Sequence, residues 1–544
     1  MARLESSAAR RKAGPGQRRL LTAYLLALAG AGGFSMMVLE VAAPRLLAPY
    51  FGSSNYTWTN VIGVILAALA AGYYAGGRLA DRRPGLGPLV TVAILAAVLS
   101  AGVPWAVRAL CPLLVPEAAA ESSAVPLLVR ASLFATLLLF APPLFLMGAM
   151  SPMTVRLLSR AGGVGWASGA CSASVTAGAI AGTFGTTLWL VPAIGSHRTV
   201  LLASLALLVI ALPGLAGGSG PLARATGAVG TVFVAVSAAV PPGPVLPGPN
   251  VLYETETPYQ YARVTRRGDA LLLQTEGQRR GAQAVLREGS FLSGGLVFDH
   301  FLGLPWLSGW RPGERLDLLV LGYGVGAVGR QVEHFFGPFS DLRIDGVEID
   351  PELVEIGERF FGLDRGDPHL SLQIADARQY NLVSKRTYRA IVLDVFSRAR
   401  QVPSHLATRE FFETVKDRLR HGGVFGMNVI VPIADGEALP RLLESVRASF
   451  GEVFVERIPG SLNMLILARR DLPLDLTGAS ARLRAQDASR MASEFEDLRR
   501  LLLAGWQRAA KWPGRPGFAP LTDDGTPFEH LLLRDSLVAW SRLP

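Results

Sequence analysis

Hydrophobic and polar positions divide this chain into two unlike halves. Residues 20–242 form long apolar runs with few acids or lysines, and each run approaches the roughly 20 residues that a membrane-spanning helix needs. From residue 251 onward, short apolar strands alternate with amphipathic helices, as in a globular domain. The pattern predicts about seven spans, at residues 20–44, 56–78, 87–110, 126–149, 167–193, 199–217 and 225–242. A multi-span helical membrane domain is therefore expected before a second, globular domain.

Charges and turn residues refine the domain limits. A basic tail, residues 1–19, precedes the helical domain at 20–242, and a Pro/Gly-rich linker follows at 243–250. Since basic residues flank spans on the cytoplasmic side, the tail is expected there. The same rule places on that side Arg78, Arg82, Arg83, Arg156, Arg160 and Arg224. Seven complete spans would export the C-terminal half, so we expect one segment, most readily 225–242, to be re-entrant.

Two spacings of small residues predict close helix contacts in the first half. They are Gly72-x-x-x-Gly76 and Gly178-x-x-x-Gly182. Glycines four residues apart lie on one helix face and allow two backbones to approach.

The second half has the alternation of a doubly wound α/β domain. A small antiparallel β lobe is expected at about 251–285, within a lobe-and-connector region 251–310, and the main domain at 311–544. Asp350-Pro351 is a strong helix start. The strands are predicted at Leu316–Leu321, Leu342–Ile349, Leu370–Ile374, Ala390–Leu393 and Val424–Val429. This order predicts a parallel sheet whose ligands bind at the carboxyl ends of the strands.

Glycines or acids stand at four of these strand ends. Such a glycine turn brings the backbone close to a nucleoside, and an acid ending the next strand accepts hydrogen bonds from ribose hydroxyls. An aspartate after the third strand can bind an adenine amino group if a small residue follows it. In chain order the residues are Gly322, Gly324, Gly326, Glu348, Asp376 with Ala377, and Asp394. Turn capping is the competing interpretation for Asp376 and Asp394.

Composition excludes several other classes of protein. The formal charge is +10, but the basic residues form no stripe with interleaved aromatics, so no nucleic-acid partner is expected. The seven histidines and two cysteines show no metal-binding spacing and no disulfide framework, so no metal is expected. A dinucleotide dehydrogenase would accept Ala327 in the glycine motif, but no substrate domain with a hydride-transfer acid or base is apparent.

The glycine motif with its strand-end acid better resembles the class I methyltransferase-like fold. More specifically, the chain resembles the spermidine synthases, or polyamine aminopropyltransferases, and their membrane-fused members. The resemblance runs from Leu39 to about Glu529. It rests on the stretches LEVAAPRLLAPYFGSSNYTWTNVIG, GYYAGGRLADRRP, GTFGTTLWLVPAIG, YETETPYQYARV, VLGYGVGAVGRQV, GVEIDPELVEIGERFF, ADARQY, LDVFS, PSHLATREFFETVKDRLRHGGVF and LTDDGTPFE.

The resemblance implies a nucleoside site. Gln260 would contact the adenosyl thioether part of the ligand, and Glu348 would hold the ribose. Asp376 and Ala377 would hold the adenine, and Pro403 would line the same pocket. The implied co-substrate is decarboxylated S-adenosylmethionine, with no permanently bound cofactor.

The resemblance also implies a catalytic base, Asp394. An amine acceptor such as putrescine would attack the aminopropyl carbon, and methylthioadenosine would leave. Amines of this type have pKa values of about 10, so a carboxylate must attract the amine and take its proton. The expected partners are this small amine and the lipid bilayer, with a homodimer as a further expectation. We expect a multi-pass protein of the cell membrane whose C-terminal domain faces the cytoplasm, where the donor is made.

The amine site departs from the family pattern. Val325 and Ser397 stand where the family usually has aspartates, Arg398 and Arg400 lie in the same loop as Ser397, and the Tyr-His-Glu motif is reduced to FDH at 298–300. Two alternatives therefore stay open beside aminopropyl transfer to putrescine. One is transfer from an S-adenosyl donor to another acceptor, and the other is a membrane sensor or transporter that binds the nucleoside without catalysis.

Overall fold

The structure is a computed structural model. It describes residues 15–52, 55–114, 125–217, 221–240, 243–246, 248, 250–275, 282–396, 402–431, 436–525 and 528–540. Contacts separate a helical unit that ends at Pro247 from an α/β unit that begins at Gly248. Of the residues singled out above, Ser397, Arg398 and Arg400 lie outside the described ones.

Long apolar helices build the N-terminal unit, as the hydrophobic runs require. A π-helical turn, Thr186–Leu190, and a 3₁₀ turn, Leu212–Gly217, flank the seventh helix. The helices described are α1 Pro15–Phe51, α2 Asn55–Arg82, α3 Leu86–Leu114, α4 Val125–Leu139, α5 Ala141–Leu158, α6 Val164–Gly185, α7 Val191–Ala211 and α8 Pro221–Ala239.

Among the described residues, four helical stretches are long and apolar enough to cross a membrane: Gly16–Phe51, Tyr56–Arg82, Leu86–Leu114 and Val164–Ala216. The pair α4 and α5, bent by 47°, would make a fifth, and Arg224–Ala239 is a shorter apolar helix. About seven segments were predicted from the sequence. The counts differ because α4–α5 bends, because Val164–Ala216 contains two helices and because Arg224–Ala239 is too short to be counted as a span.

The first of these two helices, α6, runs parallel to α1. A Cβ atom on Gly178 would lie 1.9 Å from the carbonyl oxygen of Gly30, and one on Gly182 would lie 2.6 Å from that of Phe34. Both positions therefore need glycine for the close approach that their spacing predicted. Gly72 and Gly76 of α2 approach the backbone of α5 in the same way.

The second helix, α7, runs in the opposite direction. The Tyr24 hydroxyl donates to the carbonyl of Ala211, and the Ser35 hydroxyl donates to that of Ala203, both at 3.1 Å. Later residues of α1 thus contact earlier residues of α7, so the two helices are antiparallel. The reversal includes Gly195, whose φ of 77° and ψ of 164° interrupt the helix.

Two sheets form the C-terminal unit. A four-stranded antiparallel lobe consists of β1 Val251–Glu256, β2 Tyr261–Arg267, β3 Ala270–Thr275 and β4 Ala284–Arg287. The strands of the large sheet are β5 Leu316–Leu321, β6 Leu342–Glu348, β7 Leu370–Ile374, β8 Tyr388–Leu393, β9 Leu419–Ile430, β10 Phe454–Arg457, β11 Asn463–Arg469 and β12 Ala510–Lys511.

Helices connect these strands and cover the large sheet. They are α9 Val297–Phe301, α10 Leu304–Leu307, α11 Ala327–Phe336, α12 Pro351–Ile356, α13 Ala377–Val383, α14 Arg409–Arg418, α15 Ala438–Phe450, α16 Leu476–Arg484, α17 Phe495–Arg508 and α18 Phe528–Trp540.

The large sheet has the order β12-β10-β11-β9-β8-β5-β6-β7. Strands β7, β6, β5, β8 and β9 are parallel, whereas β11, β10 and β12 pair antiparallel at one edge. The fold class, a helical membrane-type region followed by a methyltransferase-like α/β domain, is confirmed. The five strands predicted from the sequence are parallel, and the sheet continues beyond them through three antiparallel strands, which need no crossover helix. Apolar cores cover both faces of the sheet.

Candidate active site

A cavity of about 820 Å³ lies at the carboxyl ends of β5, β6, β7 and β8. This volume is within the range of small-molecule sites. Of the residues predicted from the sequence, Gly326 does not line the cavity. Those that do are Gln260, Gly322, Gly324, Glu348, Asp376, Ala377, Asp394 and Pro403.

The glycine turn lies directly against the end of β8. Gly322 has a φ of 84°, and a Cβ atom there would lie 2.4 Å from the carbonyl oxygen of Asp394. Gly326 also has a φ of 84° and forms the N-terminal boundary of α11, where it packs on Leu363. Both glycines have left-handed backbone, which other residues adopt only with strain. The turn therefore brings its backbone and Asp394 to one place.

Glu348 ends β6 with both carboxylate oxygens turned to the backbone. Its Oε2 accepts from Gly324 N–H at 2.8 Å, and its Oε1 accepts from Ile349 and Asp350 N–H at 2.9 and 3.0 Å. Burial is the larger effect and raises the pKa of Glu348 to about 7, while these hydrogen bonds oppose the rise. A buried carboxylate with unused acceptor positions can receive hydroxyl donors from a ligand.

A buried hydrogen bond attaches the β lobe to this region. The Thr257 hydroxyl donates to Asp350 Oδ2 at 2.6 Å, and Thr257 Oγ1 accepts from the N–H groups of Tyr259 and Gln260 at 3.0 Å. Burial raises the pKa of Asp350, with the Thr257 bond acting against it. The turn that presents Gln260 to the cavity is thus hydrogen-bonded, through Thr257, to Asp350.

Asp376 has a structural role in addition to lining the cavity. Its Oδ1 accepts from the N–H groups of Arg378 and Gln379 at 3.0 Å, which caps α13. Its Oδ2 lies 3.2 Å from Nε2 of His405. The capping interpretation therefore holds for Oδ1, and Oδ2 faces His405, which also lines the cavity. Ala377, which begins α13, is buried beside it.

Asp394 follows β8 and is held by two asparagines that the sequence analysis missed. Asn428 Nδ2 donates to Asp394 Oδ1 at 2.9 Å, and Asn463 Nδ2 donates to Asn428 Oδ1 at 2.8 Å. The carboxylate reaches the cavity, but protein surrounds it otherwise, and this burial raises its pKa to about 6. The Asn428 bond opposes the rise. An asparagine inside the apolar strand GMNVI is the signal that could have identified this support.

Val325, between the last two glycines of the turn, is buried among apolar side chains. It is 2% exposed and packs with Leu273 and Ala284 of the lobe and with Leu353 and Ile356 of α12. This position therefore joins the lobe to the large sheet through an apolar contact.

The FDH residues divide between the cavity and the core. Phe298 lines the cavity. Asp299 is buried and accepts from the N–H groups of Ser293 and Gly295 at 2.7 and 2.8 Å, which shapes a loop of the cavity wall. His300 Nδ1 lies 2.7 Å from a carboxylate oxygen of buried Glu456. Among the described contacts, Asp299 and His300 act within the protein.

Comparison with known proteins places this fold and site in context. No family model matches the chain. It is 28% identical over 245 residues to a "Probable polyamine aminopropyl transferase" of Bifidobacterium longum. The aligned residues cover 44% of this chain and 52% of that protein. It is 32% identical over 146 residues to polyamine aminopropyltransferase 2 of Pseudomonas aeruginosa, with 26% and 41% covered. Over these parts of its length, the chain is similar to polyamine aminopropyltransferases.

Other relatives have a different named activity. The chain is 32% identical over 163 residues to the mouse eEF1A lysine and N-terminal methyltransferase, which covers 28% of this chain and 22% of that protein. These matches span about half or less of the curated relatives' lengths. Among solved structures, a probable spermidine synthase from Corynebacterium glutamicum has a TM-score of 0.38 at 18% identity, over 52% of this chain and 98% of that one.

Proposed function

We propose that the C-terminal unit transfers an aminopropyl group from decarboxylated S-adenosylmethionine to an amine and releases methylthioadenosine. The observation that carries this proposal is the placement of Asp394. The backbone carbonyl oxygen of Asp394 lies against Gly322 of the glycine turn, and Asp394 lines the cavity where Glu348 also lies. The proposed base and the proposed nucleoside site would share this one pocket. The relationship to aminopropyltransferases supports the same reaction class.

The reaction needs a base of moderate strength. The amine nitrogen attacks the methylene carbon attached to sulfur, so a C–N bond forms, the C–S bond breaks and its electron pair neutralises the sulfonium. Asp394 accepts the proton that the amine loses. Burial raises the pKa of Asp394 from 3.8 to about 6, which makes proton acceptance about 3 kcal/mol less unfavourable. The remaining difference from an amine of pKa about 10 costs about 5 kcal/mol.

The nucleoside would be held by the other residues at the strand ends. Glu348 would accept the ribose hydroxyls, Asp376 Oδ2 and Ala377 would face the adenine, and Gln260 and Pro403 would complete the pocket. We assign these roles because all five line the cavity.

Methyl transfer from S-adenosylmethionine to another acceptor is the second candidate function. The methyltransferase relatives favour it, as does the apolar environment of Val325. Both candidate reactions need the same nucleoside site. They differ in the group transferred from the sulfonium, which is aminopropyl in the first and methyl in the second.

We further propose that the helical unit lies in the cell membrane as a multi-pass domain. The lengths and apolar composition of its helices support this location. The sequence expectation of a cytoplasmic C-terminal unit depends on where the donor is made, and the reactions above can be tested without it in purified protein.

The deciding experiment uses the full chain in lipid nanodiscs. The protein is incubated with decarboxylated S-adenosylmethionine and a panel of primary amines, and methylthioadenosine is measured by chromatography. Asp394→Asn should lose turnover while its affinity for methylthioadenosine stays within a few fold of the unmodified protein. Methylated product from S-adenosylmethionine would favour the second candidate. Intact nucleoside binding without turnover of either donor would refute both and favour a sensor.

A further inference from the structure

One wall of the cavity is apolar. It comprises apolar residues of β3, β4 and α9 together with Val325 of the glycine turn. Buried residues that form it are Leu272, Leu273, Ala284, Val297, Phe298 and Val325. Because Val325 stands within the turn that meets Asp394 through Gly322, this wall borders the proposed reaction centre.

Few carboxylates remain for an acceptor. The acids among the described lining residues are Glu348, Asp376 and Asp394. In the proposed complex Glu348 accepts the ribose hydroxyls and Asp376 Oδ2 faces the adenine, which leaves Asp394 to attract an amine. Exposed Arg267 and Arg287, the last residues of β2 and β4, also line the cavity, so positive charge lies beside the apolar wall.

A diamine would gain little from such a wall. Its second ammonium would lose water without meeting another described carboxylate, and burying an unpaired charge costs several kcal/mol. A hydrocarbon body would instead gain about 0.8 kcal/mol for each buried methylene. We propose that the acceptor is a primary monoamine with an apolar body. This inference rests on the proposed aminopropyl transfer and narrows its substrate class.

Binding of two matched amines tests the inference separately from catalysis. Pentylamine and 1,5-diaminopentane have the same chain length and differ in the terminal ammonium. Each is titrated calorimetrically into full-length protein in nanodiscs saturated with methylthioadenosine. Pentylamine should bind at least tenfold more tightly. Phe298→Glu should narrow that ratio, whereas Arg311→Glu, at an exposed position that is not among the lining residues, should preserve it.

Equal or tighter binding of the diamine would overturn the inference, as would absence of binding by both amines. A preference for pentylamine without release of methylthioadenosine from the donor would support this pocket assignment and refute the proposed reaction. The two failures are therefore distinguishable.

A second inference comes from the helical unit alone. Its two ends can be identified by contacts between helix termini. At the end where α1 begins, Arg160 donates to the carbonyl of Pro84 at 2.8 Å and Arg156 lies 3.7 Å from Asp81. A Cβ atom on Gly214 would contact Tyr24 near the start of α1, so the α7–α8 connection is at the same end.

The chain leaves this unit at the other end. The Tyr50 hydroxyl, near the end of α1, donates to the carbonyl of Val245 at 2.7 Å, and Arg108 of α3 donates to the carbonyl of Gly243. Helix α8 runs parallel to α3, because Gly230 is next to Val98 and Gly102 is next to Phe233. Helix α8 therefore runs beside α3 to the end of the unit where Tyr50 lies, and we infer that it crosses the membrane in place of the re-entrant arrangement expected from the sequence.

Basic residues concentrate at the end where α1 begins. Described examples there are Arg18, Arg19, Arg82, Arg83, Arg156 and Arg160, and the basic tail precedes them. The other end has Arg45, Arg108, Arg130 and Arg198. Since positive loops stay in the cytoplasm, we infer that the chain enters the C-terminal unit on the extracytoplasmic side. The donor would then have to be supplied by an export step.

Labelling of intact cells tests this orientation in the full chain. Two introduced cysteines are compared, exposed Glu355→Cys in the C-terminal unit and Gly163→Cys in the loop between α5 and α6, against the unmodified protein, whose Cys111 and Cys171 are buried. A membrane-impermeant maleimide should label the first and reach the second only after permeabilisation. Protection of Glu355→Cys until permeabilisation would overturn the inference and restore the cytoplasmic expectation. Activity in nanodiscs is unaffected by either result.

Discussion

Replacement of Glu348 by glutamine tests the nucleoside site most directly. The carboxylate accepts three backbone N–H groups at 2.8–3.0 Å and, in the proposed complex, two ribose hydroxyls. Glutamine keeps the shape but offers one acceptor oxygen and no charge. If that oxygen stays with Ile349 and Asp350, the amide NH₂ group opposes Gly324 N–H. The ribose then loses its charged acceptor.

The expected loss follows from the strength of charged hydrogen bonds. It amounts to about 1.5–3 kcal/mol, which corresponds to a roughly 10- to 150-fold higher Kd for methylthioadenosine. Titration calorimetry at pH 8 measures it, since the pKa of Glu348 is about 7 and the carboxylate is then mostly ionised. Glu355→Gln, which makes the same change at an exposed position of α12, should retain the original Kd.

The pH dependence supplies a second signature. Glu348 is protonated below its pKa of about 7, so affinity of the unmodified protein should fall as pH decreases from 8 to 5.5. The decrease is at most about 30-fold if only the ionised form binds. Glu348→Gln should lack this pH dependence. A folded variant with an unchanged Kd at pH 8 would remove Glu348 from the site.

Three further predictions concern the residues around Asp394. Its pKa of about 6 means that the base is protonated below pH 6, so turnover should fall about tenfold per pH unit there and level off above pH 7. Asn428→Leu removes the hydrogen bond that lowers this pKa and should move the acidic limb of the rate profile to higher pH; an unmoved limb would assign Asn428 a purely structural role. Gly322→Ala should destabilise the protein by at least about 2 kcal/mol through strain and overlap with Asp394. In thermal unfolding, Gly322→Ala should lower the melting temperature clearly more than Gly309→Ala does, because Gly309 has a similar φ of 83° but open space around it. Equal decreases would show that overlap with Asp394 contributes nothing.

Much of the α/β unit follows from local pattern. The strand Leu316–Leu321 is continuously apolar because both faces of a central parallel strand are buried. Asp350 and Pro351 begin α12 as predicted, and the side chain of Asp350 accepts from Glu352 N–H. Parallel strands bring their carboxyl ends to one edge, so the sequence order alone brought Glu348 and Asp394 into one predicted site.

Other features depend on groups far apart in sequence. Asn428 supports Asp394 only because β9 pairs with β8. The two residues are 34 positions apart in sequence, so no local periodicity predicts their contact. Likewise, the sequence shows only that Val325 stands where the family usually has an aspartate. Its packing against the β lobe shows that it belongs to an apolar wall. Side-chain pairings across sheets arise from tertiary register, and burial, which raises the pKa of Asp394, exists only once the fold encloses it.

The helical unit shows the same division. Apolar runs and glycine spacing determined where helices form and where two backbones meet, because both depend on residues within a few turns. The direction of each helix, the reversal at Gly195 and the end at which Val245 leaves the unit were decided by packing against α1 and α3. Hydropathy measures how apolar a segment is and contains no information about which neighbour it runs beside, so topology had to come from the tertiary contacts.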